Sequence, residues 1–241
     1  MRCLTGYDHP AGIMAEAAEA GVAIVAVSED PGQYRVLRTR LGRRPGIVAA
    51  LGMHPLHAAS FTPADLARFL RLLPDASWIG EIGLDFSLAG RPSRRAQLRI
   101  FEGILSDPHM ATLPLTIHSR GAERETIQQL AQARASRAIL HWYTGPVGLV
   151  EEAVGAGLWF SVNPAMIISA RAQRLLREIP PDRVLLETDG PFTRHHGRPS
   201  RPSDLPALLP RLAALWSMDE DGARHRLNTN QAVFFPPPTP S

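Results

Sequence analysis

The sequence predicts an α/β protein of parallel strands, either a (β/α)₈ barrel or an open doubly wound sheet. Three observations predict it: seven short apolar runs of buried-strand length, segments of helical apolar spacing between them, and no linker anywhere along the 241 residues. Strands joined through helices lie parallel, and strands covered on both faces read as continuous rather than alternating apolar runs. A content of 44% apolar and 20% charged residues suits a globular chain with one sizeable core and excludes disorder or a fibrous repeat.

In chain order, residues 1–12 (MRCLTGYDHPAG) carry no strand-like run, and residues 13–20 read as a helix leading into a first strand at 22–27 (VAIVAV). The second strand is expected at 47–51 (IVAAL). A helix at 64–73 separates it from the third, at 78–82 (WIGEI). Helices at 96–105 and 122–133 precede strands at 115–117 (LTI) and 138–140 (AIL). The sixth strand is expected at 158–162 (LWFSV), and a helix at 170–178 leads to the seventh at 184–186 (VLL). A closed barrel needs eight strands, so the first is expected to be missing from the chain as given. The remainder reads as a single barrel over residues 1–235 and a disordered Pro-rich tail at 236–241 (PPPTPS). No Gly-x-Gly-x-x-Gly follows a strand, which argues against dinucleotide binding.

The charge balance, 26 basic against 23 acidic residues, gives only +3 and does not by itself argue for nucleic-acid binding. Every basic side chain other than histidine is arginine, whose planar fork of donors suits phosphate better than a lysine point charge. The single cysteine, Cys3, excludes an intramolecular disulfide and a cysteine-based zinc pattern, so a reducing compartment, the cytoplasm, is expected. No apolar run approaches the roughly 20 residues that span a bilayer, and the start lacks signal-peptide character, so no membrane association is expected.

In a parallel barrel, residues at the carboxyl ends of the strands line the mouth. Here those ends are consistently polar: GMHP at 52–55, GEIGLD at 80–85, HSR at 118–120, HWYTG at 141–145 and ETDGP at 187–191. Two histidines and two carboxylates converging on one mouth form the mixed N/O set that suits zinc or manganese, and a carboxylate can bridge two such ions. Paired divalent ions acidify water and neutralise charge developing on a phosphoryl oxygen, so hydrolysis is the expected chemistry. Asp189 can serve as both ligand and proton acceptor.

These segments, GMHP, GEIGLDF at 80–86, IHSRGA at 117–122, HWYTG and LLETDGPF at 185–192, resemble the TatD family of metal-dependent deoxyribonucleases over most of the chain. The resemblance implies a TIM barrel of the metallo-dependent hydrolase superfamily with two divalent ions, Zn, Mn or Mg. By the same resemblance Glu81 bridges the metals, His118 and His141 are ligands, Asp189 is ligand and base, and His54 lies near the scissile phosphate. The aromatic in HWYTG and the run at 157–166 (GLWFSVNPAM) are similar to the TatD-like component of Qat anti-phage defence systems, which implies a role beside defence partner proteins. Family members open with a strand ending in His-x-His, and no His-x-His occurs in this sequence. Either the chain begins downstream of that strand, or the site holds one metal or none.

For the substrate, DNA as a single strand or an end, the expected contacts are His54, Asp85, Arg120 and Arg194, with Arg198, Arg201, His195 and His196 nearby. Trp142, Tyr143 and Phe192 are candidates for base stacking or for the core. The competing readings are a catalytically impaired barrel serving as a binding subunit of a defence complex, and a metallo-hydrolase of a small ester or amide.

Overall fold

The computed structural model describes residues 7–235, so residues 1–6 of the opening segment and the tail at 236–241 lie outside it. Helix α1 (Pro10–Glu19) leads into β1 (Ile24–Val27), and α2 (Pro31–Leu41) into β2 (Ile47–Ala50). Next come α3 (Pro63–Leu72), β3 (Ile79–Gly83), α4 (Arg94–Leu105), β4 (Leu115–His118), α5 (Glu123–Gln132) and β5 (Ala138–Leu140). The chain continues through α6 (Val150–Gly155), β6 (Trp159–Val162), α7 (Pro164–Ile168), α8 (Ala170–Glu178) and β7 (Val184–Leu186). It closes with a two-residue-per-strand hairpin, β8 (Arg194–His195) and β9 (Arg198–Pro199), then α9 (Leu209–Leu215) and α10 (Glu220–Phe234).

The seven expected strands are all present, with ends shifted by two residues or fewer. The first starts at Ile24 because Val22 N–H still bonds the Ala17 carbonyl of α1. Helix α1 starts three residues earlier than its apolar pattern because Pro10 occupies the first helical position, where a missing N–H costs nothing. The abundant prolines repeat that role at Pro31, Pro63 and Pro164. Side chains cap several of these starts: Asp30 on α2, Thr62 with Asp65 in a reciprocal box on α3, and Asn163 on α7.

All pairings among β1 to β7 are parallel: β1 with β2, and β3 through β7 in sequential order. A bridge from Leu51 to Ile79 joins the two sheets. Gly52 sits in that junction, where a Cβ would stand 1.7 Å from the Ser28 carbonyl oxygen, so any side chain there would push β1 away from β3. Among the described residues no ladder joins β7 to β1. A cavity of about 400 Å³ opens there, lined by Val25, Val27, Leu185 and Leu209 among others.

The strands run from a closed end to an open one. At the closed end Phe234 of α10 packs on Trp78 and Trp159, with ring centroids 6.1 and 5.3 Å apart. All three are buried, each contributing about 2 kcal/mol or more of hydrophobic stabilisation. Trp216, expected to pack likewise, is only partly buried against the main core. That core runs from Tyr34 through Phe69, Phe101 and Phe160 to Leu227. With one end sealed by aromatics, the polar strand ends gather at the other.

Candidate metal centre at the mouth of the barrel

Each candidate side chain stands at or just beyond the carboxyl end of a strand. Glu81 is within β3, His118 ends β4, His141 follows β5, and Glu187 and Asp189 follow β7. His54 follows β2, its N–H bonded to the Glu29 carbonyl after β1. Glu81 is the hub. One of its carboxylate oxygens, Oε1, lies 2.7 Å from His118 Nδ1, 3.4 Å from His54 Nε2 and 3.9 Å from His141 Nε2. Asp189 Oδ1 stands 3.7 Å from His141 Nε2 on the far side.

His54, Glu81 and His118 each offer a donor atom within 4.8 Å of the other two. Two ligands held about 2.0–2.2 Å from one tetrahedral ion stand about 3.5 Å apart. The separations of 3.4 Å for His54–Glu81, 3.7 Å for His141–Asp189 and 3.9 Å for His141–Glu81 therefore need little adjustment to share an ion. The donor set among these residues is imidazole nitrogen and carboxylate oxygen, which fits zinc or manganese. His54, expected near the scissile phosphate, is thus also placed as a ligand.

The electrostatics express the crowding of unlike charges. Burial works to raise the Glu81 carboxyl, but the charges on His54 and His141 and the hydrogen bond with His118 outweigh it and hold the group well below its ordinary value. Burial works to lower His118, yet its bonds to Asp85 and Glu81 lift it to about 9. His141 is driven well above its ordinary value, with the Glu187 and Glu81 charges overcoming burial. Asp189 goes the other way. Burial raises it to about 7, reinforced by Glu187 and Glu81 and opposed by His141. Asp189 and Trp142 also hold left-handed backbone conformations, with φ of 48° and 40°. For Trp142 that conformation costs on the order of 1–3 kcal/mol, strain of a kind that concentrates at functional sites.

Behind the histidines stands a layer that strand-end counting did not reveal. Glu187 Oε2 lies 2.7 Å from His141 Nδ1, while its Oε1 accepts from Trp142 N–H at 3.1 Å and Asn163 Nδ2 at 3.2 Å. Asp85, expected to touch substrate, is 2% exposed and lies behind His118, its Oδ2 2.7 Å from Nε2. Gln97 of α4 brackets Asp85 by accepting from its N–H and donating to its carbonyl. Glu187 had a legible signal, since it lies two residues before Asp189 at the same strand end. Gln97 and Asn163 had none, because a buried amide looks like any other polar residue until its partners are known.

The expected substrate contacts divide. Arg120 and Arg194 are exposed; Arg194 donates to the Gly197 carbonyl within its own hairpin. Arg198 instead grips Asp204 with both terminal nitrogens at 2.9 and 2.6 Å, and Arg201 pairs with Glu16 at 3.2 Å. Both arginines are occupied in holding the hairpin and the turn after it. His195 and His196 sit edge to face with each other, 4.1 Å between centroids. Tyr143 belongs to the core, where its hydroxyl donates to the Pro146 carbonyl and its ring packs on Phe160. Phe192 is half exposed beside the cavity, and Trp142 stands partly buried against His141.

Comparison with known proteins agrees with this geometry. The profile of the family "TatD related DNase" matches residues 5–236. The human protein named deoxyribonuclease TATDN3 is 33% identical over 186 residues, covering 70% of this chain and 67% of its own. The 3'-5' ssDNA/RNA exonuclease TatD of Erwinia amylovora is 31% identical over 201 residues, covering 76% of each chain. Among solved structures, the TatD homologue YJJV of Escherichia coli superposes with a TM-score of 0.84 at 22% identity, covering 95% of this chain and 92% of that one. The likeness extends to the fold: a TIM barrel with helices around a parallel sheet.

Proposed function

The chain belongs to the family of TatD related DNases, and from that premise we propose that it hydrolyses DNA phosphodiester bonds with the help of divalent metal ions. The observation that carries the reading is the cluster of His54, Glu81 and His118 at the barrel mouth, with His141 and Asp189 adjoining the same carboxylate. Two divalent ions, Zn, Mn or Mg, held by Glu81, His118, His141 and Asp189 with His54 alongside, would supply acidification of a water and neutralisation of charge on the phosphoryl oxygens.

The protein's own groups do the rest. Asp189 Oδ1 faces the histidine side of the site and the cavity and accepts the proton released as the water oxygen bonds to phosphorus and the bond to the neighbouring nucleotide oxygen breaks. Exposed Arg120 and Arg194 hold the backbone phosphates, and Phe192 offers a half-exposed ring to a base. A recessed mouth admits a flexible strand more readily than a rigid duplex, so the substrate is a single strand or an end. The Erwinia relative's name supports that preference. The motifs similar to the Qat component support work beside defence partner proteins. Among the described residues no helix is long and apolar enough to cross a membrane.

End-labelled single-stranded oligonucleotides incubated with Mn²⁺, Mg²⁺ or Zn²⁺ test the reading. Glu81→Ala and Asp189→Asn should each lose about 10³-fold or more of the cleavage rate while keeping the wild-type circular dichroism spectrum. Wild-type protein that cleaves nothing with any of the three ions, or a Glu81→Ala variant of full activity, overturns it.

A further inference from the structure

We propose that Asp85 and Glu187 are positioning residues that dictate which nitrogen of each histidine faces the metal centre, Nδ1 for His118 and Nε2 for His141. The inference rests on the metal-dependent reading above and assigns work to residues behind the ligands. Each carboxylate has its two oxygens committed to different tasks. Asp85 Oδ1 accepts from Ser87 N–H at 2.9 Å, leaving Oδ2 for His118 Nε2 at 2.7 Å. Glu187 Oε1 accepts from Trp142 N–H and Asn163 Nδ2, leaving Oε2 for His141 Nδ1 at 2.7 Å. A carboxylate facing an imidazole nitrogen requires a proton on that nitrogen, and the lone pair of the neutral ring then sits on the other one. The two histidines thereby reach the Glu81 side through opposite nitrogens.

Buried amides fix the carboxylates in turn. Gln97 Oε1 accepts from Asp85 N–H at 2.7 Å, while its Nε2 donates to the Asp85 carbonyl, the Gly90 carbonyl and Ser93 Oγ at 2.8–2.9 Å. Asn163 accepts from Met166 N–H through Oδ1, which turns its Nδ2 toward Glu187. Neither amide can flip without losing those partners.

The arrangement makes an unusual forecast for isosteric amides. In Asp85→Asn the Ser87 N–H must still be met by the side-chain oxygen, so the new NH₂ points at His118 Nε2 and moves the ring proton to Nδ1, toward the metal. Glu187→Gln does the same to His141, because two donors hold the amide oxygen at the Oε1 position. Alanine removes the carboxylate but leaves the ring free to choose its tautomer. Metal affinity should therefore fall in the order wild type, alanine, amide at both positions, with the amides about 10–100-fold weaker than wild type. A structural role alone predicts the reverse, since alanine deletes more packing and more hydrogen bonds.

The test is calorimetric titration of metal-stripped wild type, Asp85→Asn, Asp85→Ala, Glu187→Gln and Glu187→Ala with Zn²⁺, with melting temperatures of the stripped proteins measured alongside. Nitrogen chemical shifts of zinc-loaded wild type should show His118 bound through Nδ1 and His141 through Nε2. Amide variants that bind zinc as tightly as wild type, or more tightly than the alanine variants, overturn the inference while leaving the metal-dependent reading intact. Wild type that binds no zinc, manganese or magnesium removes that reading and this one with it.

Discussion

The deep wall of the mouth and its rim hairpin are built on opposite plans. On the wall, His118, His141 and Glu187 stand at the ends of β4, β5 and β7, and behind them Asp85, Gln97 and Asn163 are at most 2% exposed. Every one of those polar groups has a partner that is itself positioned. The rim hairpin has two residues per strand and is held by Arg198 on Asp204 and Arg201 on Glu16, side-chain pairs at its base. The wall can hold atoms to a fraction of an ångström, as metal chemistry needs. The rim presents exposed cations on a short loop, which suits a backbone whose phosphates recur and whose path varies.

The largest expected effect that sharpens the contrast lies in the wall. Asn163→Ala removes the cap of α7 and one donor to Glu187, leaving a buried carboxylate oxygen short of a partner. The expected cost is about 1–3 kcal/mol in denaturant unfolding. It should come with weaker metal binding, because His141 loses part of its support. A cost below about 0.5 kcal/mol, the size typical of an exposed surface substitution, would mean that the wall is no better determined than the rim.

That contrast also explains what was legible in the sequence. All seven strands could be read because strands covered on both faces give unbroken apolar runs, and Glu81, His118, His141 and Asp189 could be read because they interrupt or end those runs. Helix α2 (PGQYRVLRTRL) was not anticipated; its apolar residues are sparse, and it is fixed by the Asp30 cap and the burial of Tyr34 and Leu37. Arg198 and Arg201 looked as available as Arg194, because sequence shows the cations of a loop but not the carboxylates, Asp204 and Glu16, that meet them from 6 and 185 residues away. Asp85 looked like a mouth residue for the same reason. Its place in GEIGLD marks a strand end, while its direction depends on Gln97 in a helix that packs behind it.

A smaller effect tests how the rim is held. Burial works to raise the Asp204 carboxyl, but the Arg198 fork and the Arg201 N–H outweigh it and lower the group. A carboxyl lowered by folding contributes stability that is fully present above its unfolded value of about 3.9 and is lost as pH falls through the folded value. Asp204→Asn should therefore melt below wild type at pH 6, and the gap should close as pH drops below about 3.9. A gap that persists unchanged at the acid end would show that the pair acts through packing rather than charge.

The smallest effect falls on the rim's exposed cation. Arg194 lies on β8 with its guanidinium near the Gly197 carbonyl, and no carboxylate pairs with it among the described residues. A phosphate contact there adds affinity without reading sequence, so Arg194→Ala should weaken binding to different single-stranded oligonucleotides by a similar factor. Releasing one fewer counterion should also flatten the plot of log affinity against log salt by about 0.7. The measurement is fluorescence anisotropy with the Asp189→Asn protein as background, so that bound strands are not consumed. An unchanged slope would remove Arg194 from the phosphate path and leave Arg120, after β4, as the nearer candidate. A loss confined to one base composition would show instead that this short loop reads bases, a precision that its plan reserves for the wall.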